Sequence, residues 1–312
     1  MRIAVVGAGA IGGFIAAALA RAGEDVAVVA RGEHLDVISK KGITLVHSDF
    51  GPFTARVDAS DDLRNLGTFD AILLTFKAHQ WRAVLPQLAP QAETNSTIVT
   101  LQNGVPFWFA RKPPLESVDP GGAIGAMFRD ERIVGGVVHV SGHIASPGKI
   151  HQSGGTRYVF GAPNGGTNGR VEALASQLAW AKLSPQVDEN VRQTLWLKLA
   201  NNVGLNPVST LHELTVHAML ENAFTRAEVK SLMEEALAVG RALGVVEDVD
   251  VEARIEYAQR LGDVKTSMLQ DKLAGRPMEV EPILGAVIEL GEREGVPTPR
   301  VRDAYERLRV AV

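Results

Sequence analysis

Short apolar segments alternate with longer amphipathic ones over roughly the first hundred residues. Four apolar segments, rich in Val, Ile, Leu and Ala, predict buried strands at Ile3–Val6, Asp25–Ala30, Ala71–Phe76 and Thr97–Leu101. An Ala-rich helical stretch follows the first of these strands, and another helix is predicted from Trp81. Strands that alternate with helices in this way form the parallel sheets of α/β proteins.

The pattern changes further along the chain. Pro106–Pro120 has four prolines and no clear period, which predicts a loop insertion. Later segments predict a hairpin around Asp49-Phe50-Gly51, antiparallel strands with Gly turns, a helix and a closing strand: Ile43–Val46, Phe53–Val57, Val134–Val140, Gly148–His151, Arg157–Phe160, Gly169–Ala181 and Leu183–Val187. Beyond Asp188 the strand signals end and amphipathic helices continue, so a domain boundary is predicted near this residue.

A glycine-rich turn joins the first strand to the first helix. Its residues are Gly7, Ala8, Gly9, Ala10, Ile11 and Gly12, a GxGxxG motif in the strand–helix context that dinucleotide binding demands. Gly7 allows the tight turn, Gly9 lets a pyrophosphate approach the backbone, and Gly12 lets the helix pack closely on the strand. We therefore predict an α/β Rossmann domain that binds NADP over residues 1–187, followed by an all-α substrate and catalytic domain over residues 188–312.

Polar residues after the predicted strands favour NADPH as the cofactor. An NAD site would place Asp or Glu after the second strand to hold the ribose diol, but this chain has Arg31 there. A guanidinium at this position suits a 2′-phosphate, and the alternative is a solvated surface arginine. Lys77 and Asn103 follow two later strands, and ligands bind at the carboxyl ends of the strands in such sheets.

The first helix of the second domain carries a polar stripe. Lys198, Asn202 and Asn206 are spaced i, i+4, i+8 and therefore share one helix face, and Pro207 is predicted to end or kink the helix. Because asparagine is a poor helix former, two on one face of an apolar helix indicate a purpose beyond folding. The alternative is a structural network of buried amides.

A third polar cluster lies further along the helical domain. Ser267 and Gln270 predict a capping box, and a helix N-terminus with a free hydroxyl also suits a carboxylate ligand. Glu279 and Glu281 open the next predicted helix. Because they cannot face the same way on it, one of them is predicted to be a surface residue of the first turn.

The composition is that of an ordinary globular protein. The 312 residues are 46% hydrophobic and 22% charged, and the net charge of -4 offers no general attraction to nucleic acid or to an anionic membrane. The uncharged stretch Ile3–Ala20 approaches the length of a membrane span and mimics a signal peptide, but the glycines and the missing stop-transfer pattern argue against both. The chain has no cysteine, which excludes disulfides and thiolate sites, and a cytoplasmic enzyme is predicted.

No metal site is predicted. His139, His143 and His151 lie close together in the sequence but alternate with Gly and Ser, and no carboxylates accompany them. They are therefore predicted to be strand or turn residues rather than metal ligands.

These motifs resemble the ketopantoate reductase (2-dehydropantoate 2-reductase) family over nearly the whole chain. The resemblance is carried by the glycine turn, Arg31, Lys77, Gln102-Asn103-Gly104, the Lys198–Pro207 helix and the Ser267–Glu279 stretch. It implies NADPH-dependent reduction of 2-dehydropantoate to pantoate, within pantothenate and coenzyme A biosynthesis. It also implies an active site in the cleft between a Rossmann domain and a helical domain.

The resemblance implies a role for each candidate residue. Lys198 matches the family's general acid and Glu279 its partner near the reacting carbonyl. The substrate contacts are matched by Asn202, Asn206 and Ser267, the last at the substrate carboxylate. Asn103 matches a residue near both nicotinamide and substrate, and Lys77 matches a cleft lysine on the cofactor side. A lysine suits this chemistry, because hydride delivered to a ketone carbon leaves an alkoxide that must be protonated.

Alternatives to this function stay open at the level of sequence. The chain could be a paralogue that reduces another 2-oxo acid, or a non-catalytic NADP(H) sensor whose helical domain contacts protein. A reductase of sugar phosphates or amino-dicarboxylates would require more basic residues in the second domain. The predicted partner is a small-molecule 2-oxo acid, and the sequence, although compatible with a homodimer, does not fix the oligomeric state.

Overall fold

The chain forms two compact units in a computed structural model that describes residues 1–47 and 51–310. The first unit comprises Met1–Gln102 and Ile124–Val191, and the second comprises Asn103–Ala123 and Arg192–Val312. The second unit therefore draws on two separate stretches of sequence. The shorter stretch contains the segment that was predicted to be a loop insertion.

The first unit is built on a mixed sheet. The strands in the described residues are β1 (Arg2–Val6), β2 (Asp25–Val29), β3 (Ile43–Val46), β4 (Phe53–Ala55), β5 (Asp58–Ser60), β6 (Ala71–Leu74), β7 (Thr97–Thr100), β8 (Ile133–Ser146), β9 (Lys149–Gly161) and β10 (Ser184–Val187). Their order across the sheet is β4-β3-β9-β8-β7-β6-β1-β2-β5, and β10 pairs with β9. The helices are α1 (Ala10–Arg21), α2 (Gly32–Lys41), α3 (Trp81–Ala92), α4 (Ala123–Met127) and α5 (Gly169–Trp180).

The centre of this sheet is parallel, as predicted. β1 lies between β2 and β6 and pairs with both in parallel register. Ile3 and Val5 in β1 are fully buried and share a core with Phe14 and Leu19 of α1. The continuous apolar runs reflect this burial, because a parallel strand covered on both faces has no solvent-facing side.

The antiparallel part of the sheet differs from the prediction in its extent. β8 and β9 form one long hairpin of 14 and 13 residues instead of several short strands. Shifts in register near Ser141 interrupt the alternation of apolar and polar positions, which is why the sequence pattern appeared fragmented. β3 and β4 pair as the predicted antiparallel hairpin, but Asp49 and Phe50 at its turn lie outside the described residues.

Helices α2 and α4 and strand β5 of the first unit were missing from the prediction. Helix α2 buries only Ile38 among its hydrophobic residues, so its sequence shows little helical periodicity. Strand β5 has three residues and lies at the edge of the sheet, where few contacts constrain its sequence.

The second unit is helical, which confirms the predicted fold class. Its helices in the described residues are α6 (Val191–His212), α7 (Val216–Glu221), α8 (Ala223–Ala242), α9 (Val251–Gln259), α10 (Ser267–Leu273), α11 (Ala286–Arg293) and α12 (Pro299–Val310), and a π-helical turn (Glu281–Gly285) precedes α11. Trp196 of α6 is fully buried and donates from Nε1 to the Ala236 carbonyl of α8 at 2.9 Å. None of the helices in the described part of the chain has the length and apolar character that a bilayer crossing requires.

Helix α6 continues through Pro207, so of the two predicted outcomes, an end or a kink, the structure excludes the end. Proline in a helix interior removes one backbone hydrogen bond and crowds the preceding turn. The neighbouring residues Val203, Leu205 and Val208 are buried in the unit. Burial of apolar side chains on both sides of the proline offsets the local cost, and the helix extends to His212.

The irregular segment of the second unit, Asn103–Ala123, is held by α11. The Glu289 carboxylate accepts hydrogen bonds from the backbone N–H groups of Glu116 and Ser117, both at 3.0 Å, and from the Ser117 hydroxyl at 2.8 Å. Arg293, one turn further on, contacts Glu289 and donates to the Pro113 carbonyl at 2.8 Å. Burial alone would raise the pKa of Glu289, but these hydrogen bonds together lower it below the ordinary value.

The Glu289 contacts predict a pH-dependent contribution to stability. Glu289→Gln should lower the free energy of unfolding by about 1–3 kcal/mol at neutral pH, because a carboxylate is a stronger acceptor than an amide. A group whose pKa is lowered by folding stabilises above its unfolded pKa and loses that effect as pH falls through its folded pKa. The difference between variant and wild type should therefore shrink under acidic conditions.

Urea unfolding at neutral pH and at about pH 3, more than one pH unit below the ordinary glutamate pKa, measures this dependence. Glu294→Gln serves as the control, because Glu294 is exposed immediately after α11. An equal loss of stability in the two glutamine variants would contradict the assigned role of Glu289.

Candidate active site

The glycine turn between β1 and α1 has the backbone that the sequence predicted. Gly7 has a φ of +105°, and a Cβ at this position would lie 2.7 Å from the backbone nitrogen of Phe76. A Cβ on Gly12 would lie 2.2 Å from the Gly7 carbonyl oxygen and 2.3 Å from Thr75 Oγ1. A Cβ on Gly9, by contrast, would meet no atom of the described residues within 4 Å. The turn therefore has two glycines for close packing and one that leaves room for a ligand.

Arg31 and Lys77 lie at the same edge of the sheet as the glycine turn. Val6 at the end of β1 pairs in parallel with Val29 of β2 and with Leu74 of β6. The three strands therefore end together, and the segments that follow them leave from one edge. Arg31 is exposed and immediately precedes α2, and Lys77 immediately precedes a short 3₁₀ turn.

His34 supports the glycine turn and was not found from the sequence. Its Nδ1 accepts a hydrogen bond from the Gly148 backbone N–H at 2.9 Å, so the ring proton lies on Nε2. Nε2 therefore donates to the Ala8 carbonyl at 2.7 Å. No sequence motif indicated this contact, because His34 belongs to α2, the helix that the apolar pattern did not predict.

Lys198, Asn103 and Glu279 come together within the second unit. Lys198 Nζ donates to Asn103 Oδ1 at 2.9 Å, and Asn103 Nδ2 donates to a Glu279 carboxylate oxygen at 3.4 Å. Asn103 is the first residue of the unit, Lys198 lies on α6, and Glu279 precedes the π-helical turn. Three residues that are distant in sequence thus form one polar chain.

The environment of Lys198 changes its acidity. Burial lowers the pKa of Lys198 to about 8, and the negative charge of Glu279 partly opposes this shift. The ammonium is therefore a stronger acid than that of an ordinary lysine, whose pKa is about 10.4. Such a group is mostly charged at neutral pH and can still release its proton readily.

The structure distinguishes the two neighbouring glutamates. Glu279 contacts Asn103, whereas the Glu281 carboxylate accepts hydrogen bonds from the Tyr305 hydroxyl at 2.8 and 3.0 Å. Glu281 is exposed in the first turn of the helical segment. The prediction that one of the pair is a surface residue is confirmed, and Glu279 is the one beside Asn103.

The two asparagines of the stripe differ in burial. Asn202 is half-buried one turn after Lys198, and Asn206, one turn further on, is only 4% exposed. Nδ2 of Asn206 has no hydrogen-bond partner among the described residues. A buried amide with an unused donor does not match the structural network that was the alternative interpretation, because such networks satisfy their members.

The predicted cap of α10 was wrong by one residue. Thr266, not Ser267, is the N-cap, and its hydroxyl accepts from the Leu269 backbone N–H at 3.3 Å. The Gln270 amide donates to the Lys265 carbonyl instead of completing a capping box. Threonine and serine both cap helices, and Thr266 takes the role because its side chain is buried against Ser209. Ser267 is the first residue of the helix and is exposed.

The clustered histidines lie on antiparallel strands, as predicted. His143 of β8 and His151 of β9 are direct cross-strand partners with ring centroids 5.2 Å apart, and both are exposed. His139 lies further back on β8. Across residues 1–47 and 51–310, no group of three histidines or carboxylates has an arrangement that could hold a metal ion.

Two family models match the chain and together cover most of it. The model described as "Ketopantoate reductase PanE/ApbA" matches residues 3–165, and its C-terminal counterpart matches residues 190–311. A 2-dehydropantoate 2-reductase from Mesorhizobium japonicum is 40% identical over 309 residues, which cover 96% of this chain and 94% of the relative. The chain belongs to the ketopantoate reductase family. It is thus an oxidoreductase of the class that the sequence motifs indicated.

Solved structures support the same assignment. A 2-dehydropantoate 2-reductase from Geobacter metallireducens has a TM-score of 0.88 at 29% identity, with all of both chains covered. D-mandelate dehydrogenase with NADH and anilino(oxo)acetate has a TM-score of 0.87 at 20% identity, covering all of this chain and 98% of its own. A dimeric ketopantoate reductase from Staphylococcus aureus reaches 0.80 at 23%, with the same coverage. D-mandelate dehydrogenase and the Staphylococcus aureus enzyme share the fold of this chain, and D-mandelate dehydrogenase binds NADH.

The glycine turn predicts that two similar substitutions will have different effects. Gly9→Ala should leave stability nearly unchanged, because the φ of −69° and ψ of −164° suit alanine and no atom of the described residues lies nearby. It should weaken dinucleotide binding by about tenfold or more, since the methyl group occupies the space for the pyrophosphate. Gly12→Ala should impair both properties.

Thermal unfolding and titration of the dinucleotide, followed by its fluorescence, measure the two effects separately. Unchanged dinucleotide affinity in Gly9→Ala would show that the ligand does not approach this turn.

Proposed function

We propose that this protein catalyses the NADPH-dependent reduction of 2-dehydropantoate to pantoate. The proposal rests first on the 40% identical 2-dehydropantoate 2-reductase. The structural observation that supports it most directly is the partly buried Lys198 ammonium. This group donates to Asn103, and the negative charge of Glu279 favours its protonated form. Such an arrangement suits protonation of an oxygen that becomes an alkoxide.

The two parts of the chain take different roles in this proposal. Residues 1–187 bind the cofactor. Residues 188–312, together with Asn103 from the first range, hold the substrate and supply the acid. The glycine turn fits a dinucleotide, because Gly9 leaves open the space that a side chain would fill. NADPH supplies the hydride for the carbonyl carbon. A cytoplasmic location and a homodimer stay predictions.

Lys198 donates the proton in the proposed mechanism. Its ammonium donates a hydrogen bond to the carbonyl oxygen, which polarises the carbonyl, and then transfers a proton to that oxygen. The lowered pKa of about 8 brings the acid close to neutral pH, where proton transfer is efficient. The Glu279 charge keeps Lys198 protonated in surroundings that otherwise favour the neutral amine.

The amide of Asn103 orients the acid. Because its Oδ1 accepts from Lys198, the amide NH₂ is turned toward Glu279. The stripe residues Asn202 and Asn206 offer uncharged donors and acceptors for the substrate, and Asn206 Nδ2 is a donor without a protein partner in the described residues. We assign the substrate carboxylate to the exposed hydroxyl of Ser267.

Arg31 binds the 2′-phosphate of NADPH in this proposal, and Lys77 belongs to the same cofactor site. Both residues follow strands that end at the edge occupied by the glycine turn, where dinucleotides bind in Rossmann domains. Arg31 stands at the position where an acid would select NAD, and a guanidinium favours the extra phosphate.

The proposed reaction is tested by steady-state oxidation of NADPH against 2-dehydropantoate and related 2-oxo acids. Wild type should turn over 2-dehydropantoate with the highest kcat/KM. Lys198→Ala should lower kcat by about 100- to 10,000-fold with NADPH affinity nearly unchanged, which is the usual size of acid catalysis. Lys230→Ala, on the exposed side of α8, is the matched control and should retain activity.

Different results would redirect the assignment. A higher kcat/KM with another 2-oxo acid would identify a paralogue with the same chemistry. Tight NADPH binding without oxidation across the panel would favour the non-catalytic sensor, and full activity of Lys198→Ala would remove this residue from the mechanism.

The choice of cofactor is tested at Arg31. Arg31→Ala should raise the KM for NADPH by about tenfold while hardly changing that for NADH, because only NADPH carries the phosphate that the guanidinium binds. Lys41→Ala, at the far end of α2, provides the control for a lost positive charge on the same helix. An equal effect on both cofactors would place Arg31 outside the phosphate site.

A further inference from the structure

Asn103 lies next to a backbone contact that joins two distant parts of the second unit. The Val105 backbone N–H donates to the Pro282 carbonyl oxygen at 2.7 Å. Gly104, between Asn103 and Val105, passes directly over Pro282. The segment that carries Asn103 is thus attached three residues beyond Glu279, to which Asn103 also donates.

The contact leaves no room for a side chain on Gly104. A Cβ would lie 2.4 Å from the Pro282 carbonyl oxygen and 2.7 Å from the Pro282 Cβ, both well inside van der Waals distance. Gly104 also has a φ of +83°, a conformation that residues other than glycine adopt at a cost. Steric fit and backbone conformation therefore both depend on glycine here.

Pro282 is itself held in place. It belongs to the π-helical turn Glu281–Gly285, in which Pro282, Ile283 and Leu284 are buried. π-helical turns are uncommon and occur frequently at functional sites. Because the carbonyl of a buried turn cannot move freely, an atom added on Gly104 would displace the Asn103 segment rather than Pro282.

We propose that Gly104 is a positioning residue whose contact with Pro282 holds the Asn103 amide between Lys198 and Glu279. The inference rests on the proposed function only in that Lys198 is taken as the acid. Gly104 has no side chain with which to touch Lys198 or Glu279, and in this proposal it acts through its neighbour Asn103.

The proposal has a consequence for the acid itself. The Asn103 oxygen accepts from the Lys198 ammonium and so favours the charged form. Glu279 is the charged group that acts on Lys198 within the described residues, and it also favours the charged form. If the Asn103 oxygen moves away from Lys198, the effect of burial on the lysine is opposed less strongly. The pKa of Lys198 should then fall further below its usual range.

Gly104→Ala and Gly121→Ala form a matched pair of variants that tests the proposal. Gly121 belongs to the same irregular segment and has a φ of +68°, but a Cβ there would meet no atom of the described residues within 4 Å. Both variants carry the backbone penalty of a positive φ, and only Gly104→Ala adds the clash with Pro282. Gly104→Ala should lower kcat by about 100-fold, since a displacement of about 1 Å can have an effect of this size. Gly121→Ala should stay within about twofold of wild type.

The pH profile separates positioning from a general structural effect. Activity of an acid catalyst falls as pH rises through its pKa. In Gly104→Ala the alkaline limb of kcat should move by about one pH unit to lower pH, the size expected for losing a hydrogen bond to a charged group. The KM for NADPH should stay the same. An unshifted limb with reduced kcat would overturn the proposal.

A double-mutant cycle tests whether Gly104 acts through Asn103. Asn103→Ala alone should reproduce the kinetic defect and the shifted limb of Gly104→Ala. The combined variant should then be no worse than Asn103→Ala, because the amide to be positioned is already absent. If the combined variant instead lowers kcat by the product of the two single effects, Gly104 acts independently of Asn103, which contradicts the proposal.

A readout independent of turnover keeps this test separate from the proposed function. NMR titration of the labelled Lys198 side chain measures its pKa in wild type and in each variant, whichever substrate the enzyme accepts. A lower pKa in Gly104→Ala and an unchanged one in Gly121→Ala would support positioning even if 2-dehydropantoate were not the substrate. An unchanged pKa in both variants would overturn it.

Discussion

A partly buried ammonium requires polar partners, and this requirement organises the second unit. Lys198 projects from α6, and burial alone would favour its neutral form. One amide oxygen and one carboxylate oppose that tendency. Neither Asn103 nor Glu279 lies on α6, so the unit has to bring together three segments that are far apart in sequence. Burial and these contacts together leave the lysine charged yet unusually acidic, which is the combination that proton donation requires.

The irregular segment that begins at Asn103 is held by specific contacts instead of secondary structure. Its first residues attach to Pro282 through Val105, and a later part attaches to Glu289 through Ser117. Hydrogen bonds to charged groups contribute about 1.5–3 kcal/mol each, roughly twice the value for neutral pairs. A few such contacts can therefore fix a proline-rich stretch that offers little regular hydrogen bonding of its own.

The elements that the sequence predicted well share a local cause. Gly7 and Gly12 belong to a six-residue motif that can be found from the sequence, although Phe76 and Thr75 from a distant segment supply part of the crowding there. The stripe on α6 follows from helical periodicity alone. One error was a choice between two neighbouring residues that can both cap a helix. Thr266 and Ser267 are both capable caps, and only the burial of Thr266 decides between them. Helix α2, and with it His34, lacked an apolar stripe and so left no periodic signal.

By itself the sequence determined most of the order of strands and helices, the dinucleotide turn, the helical second half and the family to which the chain belongs. These features follow from chain-local patterns of size, polarity and backbone freedom. Only the tertiary structure decided that the segment after Gln102 belongs with the helices, and that Glu279 rather than Glu281 contacts Asn103. The contact between Asn103 and Glu279 joins residues 176 positions apart. It depends on which surfaces are buried together, which no local pattern encodes.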